Sequence, residues 1–185
     1  MNNPLRILQT LDGYLTAPAE LCLFGRAALA LGYSPHPAAF TATEDVDVIL
    51  PLSWLSAGDG NLDFWEAQQR TNQRLEAEGL YLTHLFREID VIVRPDWYAL
   101  RVSIPASFDR LTVFRPATLD LILTKMARGD ENDLADIGFL LNCERISASE
   151  LRTAFALARV PDLSETHALF LAAQSKVLSL VGDCD

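Results

Sequence analysis

Two aspartates separated by one residue, Asp45 and Asp47, form the most informative chemical pattern in this sequence. They lie in the segment DVDVIL, which alternates and then becomes wholly apolar before Pro51, a pattern typical of a strand over 45–50. Because side-chain direction repeats every two residues along a strand, both carboxylates point to the same face. Two like charges this close repel unless a cation lies between them, and such hard oxygen ligands suit Mg²⁺ or Mn²⁺, with water and substrate phosphate as further ligands.

Gly25 is the second informative residue, because it stands where a strand pattern changes to a helix pattern. The short apolar run 21–24 predicts a buried strand, and the Ala- and Leu-rich segment 26–31 predicts a helix. A glycine allows a tight turn here, so the first amides of the helix can face an anion, typically a phosphate. A single junction of this kind is weak evidence unless other residues join it.

Asp90 lies in a further apolar segment, EIDVIV, which predicts a short strand over 88–93. If this strand neighbours 45–50, the Asp90 carboxylate converges on the same metal as the first two aspartates. The alternative is a surface carboxylate or an ion pair with Arg87 or Arg94. A strand with two aspartates can likewise serve only to keep a sheet edge soluble.

The elements predicted around these residues define an α+β fold, a mixed sheet with flanking helices followed by a C-terminal helical segment. We expect an α/β core over residues 1–115 and a helical region packed on it over 116–185. Ser147 and Glu150 form a predicted capping box, and the last helix ends before Gly182. The other predicted helices are 1–14, 63–79, a helix beginning at Pro116 and 130–142, and the other predicted strands are 81–86, 100–104 and 111–114.

Composition excludes several classes of protein. The chain has 185 residues, half of them hydrophobic, and a net charge of −10, which argues against a general nucleic-acid binder. Residues 87–128 carry seven basic and five acidic residues, so this window could face a phosphate ligand or simply form ordinary ion pairs. No apolar run is long enough to cross a membrane and no export signal is visible, so we expect a cytoplasmic protein.

The cysteines and histidines do not predict a metal site by their spacing. Cys22, Cys143 and Cys184 are far apart and form no CxxC pattern, which is typical of buried or stray thiols. The three histidines are equally scattered along the chain, so no set of zinc ligands is predicted.

Two segments together resemble a known family. LFGRAALALGY followed by TATEDVDVIL resembles the nucleotidyltransferase fold in its small bacterial forms, with a glycine turn, an acid–hydrophobic–acid pair and a later third acid. RPATLDLILTKMARGDENDLADIGFLL is similar to the region that follows the core in the AbiEii toxin-like proteins and the related DUF6036 group. The resemblance covers roughly residues 20 to 142.

The resemblance implies a role for each matching residue. Gly25 and the adjoining turn would hold the triphosphate of an NTP substrate, and Asp45 and Asp47 would bind Mg²⁺. Asp90 would be the third carboxylate and help to activate the acceptor hydroxyl. Lys125 and Asp133 match polar positions of the toxin-like relatives, and Lys125 would either reach a phosphate or lie along its own helix.

Two positions depart from the family pattern, and both lie on the nucleotide side. Arg26 stands where the family has Gly or Ser, so its side chain either crowds the phosphate site or binds phosphate itself. Thr41 stands where many relatives have an arginine. Both departures leave the metal-binding aspartates unchanged.

Three hypotheses follow from the sequence. The first is a Mg²⁺-dependent nucleotidyltransferase-like protein that moves a nucleoside monophosphate from an NTP to a hydroxyl on tRNA, a protein or a small molecule, in a toxin–antitoxin or phage-defence context with a cognate partner protein. The second is a non-catalytic binding or regulatory module of the same fold. The third is a structural partner whose acids are ordinary surface residues.

Overall fold

The structure is a computed structural model that describes residues 2–181, and it confirms the α+β class. The chain divides into two compact units, of which the first comprises Met1–Glu88 and Arg101–Arg115 and the second Ile89–Leu100 and Pro116–Asp185. Residues 89–100 belong with the helical unit. No helix within residues 2–181 combines the length and the hydropathy that a membrane span needs.

A five-stranded mixed sheet forms the first unit, with the strand order β3-β2-β1-β5-β4. β1 lies antiparallel to β2 and parallel to β5, β2 lies parallel to β3, and β4 closes the other edge antiparallel to β5. The strands are β1 (Ala19–Phe24), β2 (Asp45–Leu50), β3 (Tyr81–Arg87), β4 (Val102–Ser103) and β5 (Leu111–Arg115).

Five helices accompany this sheet, and the apolar faces of the longer ones supply its core. α1 packs on α5 and β2, α2 packs on β1 and β2, and α5 packs on β3. α1 begins after Asn2, whose side chain accepts the backbone N–H of Leu5 and so caps the helix. The helices are α1 (Asn3–Tyr14), α2 (Gly25–Gly32), α3 (Ala38–Thr41), α4 (Leu52–Leu55) and α5 (Leu62–Leu75), with 3₁₀ turns at Gly58–Asn61 and Glu76–Glu78.

Two carboxylates of this unit tie a helix to another segment, one to the start of β5 and one to the connection between α1 and β1. Asp12 on α1 accepts the backbone N–H groups of Asp109, Arg110 and Leu111, where β5 begins. Burial alone would raise the pKa of Asp12, but these three donors outweigh it and hold the pKa below its usual value of 3.8. Asp63 on α5 accepts the hydroxyl and N–H of Thr16, which lower its pKa in the same direction.

The second unit is helical, with residues 89–100 packed into it. α6 contacts α7 and α8, and both of these contact α9. The predicted capping box at the start of α8 is present, since Ser147 and Glu150 exchange side-chain and backbone hydrogen bonds. The helices are α6 (Thr118–Lys125), α7 (Glu131–Cys143), α8 (Ala148–Leu157) and α9 (Ser164–Val181).

The predicted strand over 88–93 is wrong. Residues 88–89 form a turn and residues 90–91 a bend, and Val93 makes a single bridge to Arg159 within the helical unit. The apolar run Val91–Val93 is nevertheless buried, as the sequence pattern indicates. An apolar run predicts that a segment is buried, but it does not predict whether the segment is a strand. Here the run packs within the helical unit instead of pairing with a strand. Among the cysteines, Cys22 is buried and Cys143 exposed, while Cys184 and Gly182 lie outside the described residues.

Candidate functional site

β2 presents both predicted aspartates on one face, as the alternation of its sequence requires. Val46 and Val48 are completely buried, and the side chains of Asp45 and Asp47 retain 40% and 25% of their exposure. Thr43, just before the strand, donates its hydroxyl to Oδ1 of Asp45 at 2.9 Å. The two carboxylates are therefore partly shielded and partly open to a ligand.

Gly25 lies directly beside Asp47. It has a φ of +64°, in the left-handed region, and it is the first residue of α2. A Cβ at this position would stand only 2.5 Å from Oδ2 of Asp47, because Phe24 at the end of β1 pairs with Asp47 on β2. Backbone conformation and the proximity of the carboxylate both require glycine here, and the structure brings the predicted glycine turn and the aspartate pair together.

His84 is the residue that the sequence interpretation missed. Its Nδ1 lies 3.0 Å from Oδ1 of Asp47 and 3.4 Å from Oδ2 of Asp45. In the pairing of β2 with β3, Asp45 is opposite Tyr81 and Asp47 is opposite His84, so β3 contains one extra residue between the two pairs. A regular register would place Thr83 there. This irregularity puts the imidazole against the carboxylates.

Two aromatic rings support the imidazole. The ring of His84 stacks on Phe86, with centroids 5.9 Å apart and an interplanar angle of 22°. Phe86 in turn meets Phe24 edge to face at 5.5 Å. Since Phe24 precedes Gly25, this row of rings connects the glycine turn to the imidazole and limits the orientations that the His84 ring can adopt.

An open groove of about 440 Å³ adjoins the cluster, and Asp45 and His84 form part of its wall. Glu44, Tyr81 and Thr83 contribute further polar groups to the lining. The groove is thus continuous with the face that carries the carboxylates. Its size suits a small polar ligand or a segment of a larger one.

Asp45, Asp47 and His84 each offer a donor atom, and these atoms lie within 4.8 Å of one another. Two carboxylates and an imidazole form a donor set that fits a divalent cation, with oxygen ligands for Mg²⁺ or Mn²⁺ and a nitrogen ligand that Mg²⁺ seldom takes.

Asp90, the predicted third carboxylate, does not belong to this group of donors. It lies in an exposed bend of the second unit, at residues 89–100, and not in a strand beside β2. The expected convergence depended on that strand. A catalytic or metal-binding role for Asp90 stays a prediction from the sequence.

Arg26 and Thr41, where the chain departs from the family pattern, both lie in the first unit. The guanidinium carbon of Arg26 lies 5.9 Å from the centroid of the Phe40 ring. The Thr41 hydroxyl donates to the carbonyl of Ala38 within its own short helix.

Lys125 is buried among carboxylates in the second unit. Its Nζ lies 2.7 Å from Asp136 and 3.7 Å from Asp133, and Arg128 forms two further hydrogen bonds to Asp133. Lys125 and Asp133, both singled out by the resemblance, are therefore partners in one ion-pair network that joins α6 to α7. The structure gives Lys125 a structural contact, and its phosphate-binding role stays a prediction.

Comparisons with known protein families, with curated proteins and with solved structures found no match.

Proposed function

We propose that this chain is a divalent-cation-dependent, nucleotidyltransferase-like protein that transfers a nucleoside monophosphate from an NTP to a hydroxyl acceptor. One observation carries the proposal. The glycine turn that opens α2 lies directly against the second aspartate of a DxD pair on the neighbouring strand. This is the arrangement that the resemblance to nucleotidyltransferases implies.

In this proposal Asp45 and Asp47 hold Mg²⁺ or Mn²⁺, which when bound neutralises charge on the transferred phosphate and polarises it. The turn at Gly25 and the first N–H groups of α2 bind a phosphate oxygen, because a helix leaves its first amides without partners in the helix. The acceptor oxygen forms a bond to the α-phosphorus, the bond to the β-phosphate oxygen breaks and pyrophosphate leaves. Asp90 is the sequence-based candidate to take the hydroxyl proton, and this assignment depends on the resemblance alone.

The proposal places the protein in the cytoplasm, in a toxin–antitoxin or phage-defence system with a cognate partner protein. The toxin–antitoxin or phage-defence context and the cognate partner depend on the resemblance to the AbiEii toxin-like proteins. The proposed acceptor is a molecule with a free hydroxyl group. The three classes tested are tRNA, proteins and small molecules.

The test is transfer of label from α-³²P NTPs, each supplied with Mg²⁺ or Mn²⁺ and with one acceptor class at a time. The purified full chain is compared with a D45N/D47N double variant and with Glu66→Gln, which removes one exposed carboxylate from α5. We expect labelling by the natural chain and the Glu66 variant and none by the double variant. Equal labelling by all three would contradict the site.

A second function, a non-catalytic binding or regulatory module, is favoured by one observation. Arg26 directly follows the glycine turn, where the family has Gly or Ser, and its guanidinium carbon lies 5.9 Å from the centroid of the Phe40 ring. Calorimetry with NTP and either cation separates the two functions. An absence of binding at millimolar ligand favours the module, and tight cation-dependent binding supports the transferase.

A further inference from the structure

We propose that His84 is itself a ligand of the cation held by Asp45 and Asp47, and that its imidazole makes the site select Mn²⁺ over Mg²⁺. The inference rests on the proposed function, because it concerns the same metal site. It differs from the sequence-based expectation in the identity of the third ligand, a nitrogen on β3 instead of the carboxylate of Asp90.

The distances from the imidazole to both carboxylates are those of adjacent ligands on one ion. For metal–ligand bonds of about 2.1 Å, adjacent ligands of an octahedral ion lie about 3 Å apart. Nδ1 of His84 lies 3.0 Å from Oδ1 of Asp47 and 3.4 Å from Oδ2 of Asp45. Nδ1 is therefore spaced from each carboxylate oxygen as an adjacent ligand would be, and the three donor atoms lie within 4.8 Å of one another.

The backbone and the aromatic rings hold the imidazole in this place. The extra residue in β3 sets His84 opposite Asp47, and the ring stacks on Phe86 with nearly parallel planes. Thr43 holds the other side of the cluster through its bond to Asp45. Preorganised ligands lose less freedom when a cation binds, so the third ligand contributes to affinity instead of merely lying nearby.

The nitrogen ligand determines the selectivity. Mg²⁺ prefers oxygen ligands and gives up its water reluctantly, whereas imidazole is an ordinary ligand of first-row transition ions. A site with Asp45 and Asp47 alone discriminates weakly between Mg²⁺ and Mn²⁺. An added imidazole strengthens Mn²⁺ binding more than Mg²⁺ binding.

The experiment measures cation binding by the full chain in the absence of nucleotide. Mn²⁺ binding is followed by the loss of the free-ion EPR signal, Mg²⁺ affinity by competition, and direct coordination by the ¹⁴N coupling of an imidazole in pulsed EPR. His84→Asn places an amide oxygen near the position of Nδ1, so it replaces a nitrogen ligand by an oxygen ligand. His167→Asn, which makes the same change at an exposed histidine of α9, is the matched control.

We expect a ¹⁴N coupling in the natural chain and in the His167 variant and none in His84→Asn. The ratio of Mn²⁺ to Mg²⁺ affinity should fall about ten-fold or more in His84→Asn, mostly through weaker Mn²⁺ binding. An unchanged ratio, a missing ¹⁴N coupling in the natural chain, an absence of Mn²⁺ binding at millimolar concentration, or a loss of affinity in Asp90→Asn instead would each overturn the inference. Correct selectivity without nucleotide transfer would reject the proposed function and leave the ligand assignment standing.

Discussion

Asp47 lies against Gly25 so closely that a Cβ on residue 25 would stand 2.5 Å from a carboxylate oxygen. The backbone at this glycine is also left-handed, with a φ of +64°. The strand β2, which carries the two aspartates, and the turn that opens α2 therefore pack directly against each other where Asp47 meets Gly25. Changes at Gly25 should act on the site through Asp47.

The first prediction concerns Gly25→Ala. The left-handed backbone costs an alanine about 1 to 2 kcal/mol, and the new methyl group must push the Asp47 carboxylate aside. We expect lower stability and an about ten-fold or greater loss of Mn²⁺ affinity. Gly58→Ala is the control, because Gly58 has a φ of +55° and open space around it. If both variants lose stability but bind Mn²⁺ normally, the contact with Asp47 is unimportant for the site.

The second prediction concerns Thr43, whose hydroxyl donates to Asp45. Thr43→Val keeps the shape of the side chain and removes the donor, so Asp45 loses its orientation. Loss of a group that orients a metal ligand typically lowers metal affinity about 10- to 100-fold. We expect a loss of about ten-fold for Thr43→Val, because the Asp45 side chain is 40% exposed. Thr43→Ser retains the hydroxyl and should bind Mn²⁺ as the natural chain does. Similar affinities for the valine and serine variants in a Mn²⁺ titration would contradict this role.

The third prediction concerns Lys125 and its carboxylate partners. Lys125→Met removes the ammonium group that lies beside the buried Asp136 carboxylate. We therefore expect a loss of about 3 to 5 kcal/mol in the free energy of unfolding, measured with urea. The double variant K125M/D136L should recover much of this loss, because both charges are gone. Lys176→Met, an exposed position on α9, should change stability by about 0.5 kcal/mol or less. Normal stability with lost NTP affinity in Lys125→Met would instead support the phosphate-binding role.

The fourth prediction concerns the pH dependence of stability through Asp12. Its pKa in the folded chain is below the usual 3.8, so its contribution is fully present above that pH and disappears as the pH falls through the lower folded-state value. Asp12→Asn weakens the bonds to residues 109–111 and should cost about 2 kcal/mol at pH 7. The difference between Asp12→Asn and the natural chain should shrink in urea titrations below about pH 4. A constant difference down to pH 2 would show that the charge of Asp12 is not involved.

The arrangement around β2 shows how far local sequence patterns reach. The alternation in DVDVIL predicts one face for Asp45 and Asp47, and the change from apolar strand to Ala-rich helix predicts the turn at Gly25. These features depend on residues close in sequence, so the local spacing of apolar and polar residues is enough to predict them. The capping box of Ser147 and Glu150 was predictable for the same reason.

His84 and Asp90 show where such patterns stop. Whether His84 or Thr83 faces Asp47 depends on one extra residue in β3, and a shift of one residue changes the face of every side chain that follows. The apolar residues 91–93, which follow Asp90, are buried as their composition indicates, but they belong to the helical unit. The sequence by itself determined the α+β class, the aspartate pair and the glycine turn. Only the tertiary structure decided which side chain completes the cluster, because strand register and the partner of a buried segment are set by contacts between residues far apart in the chain.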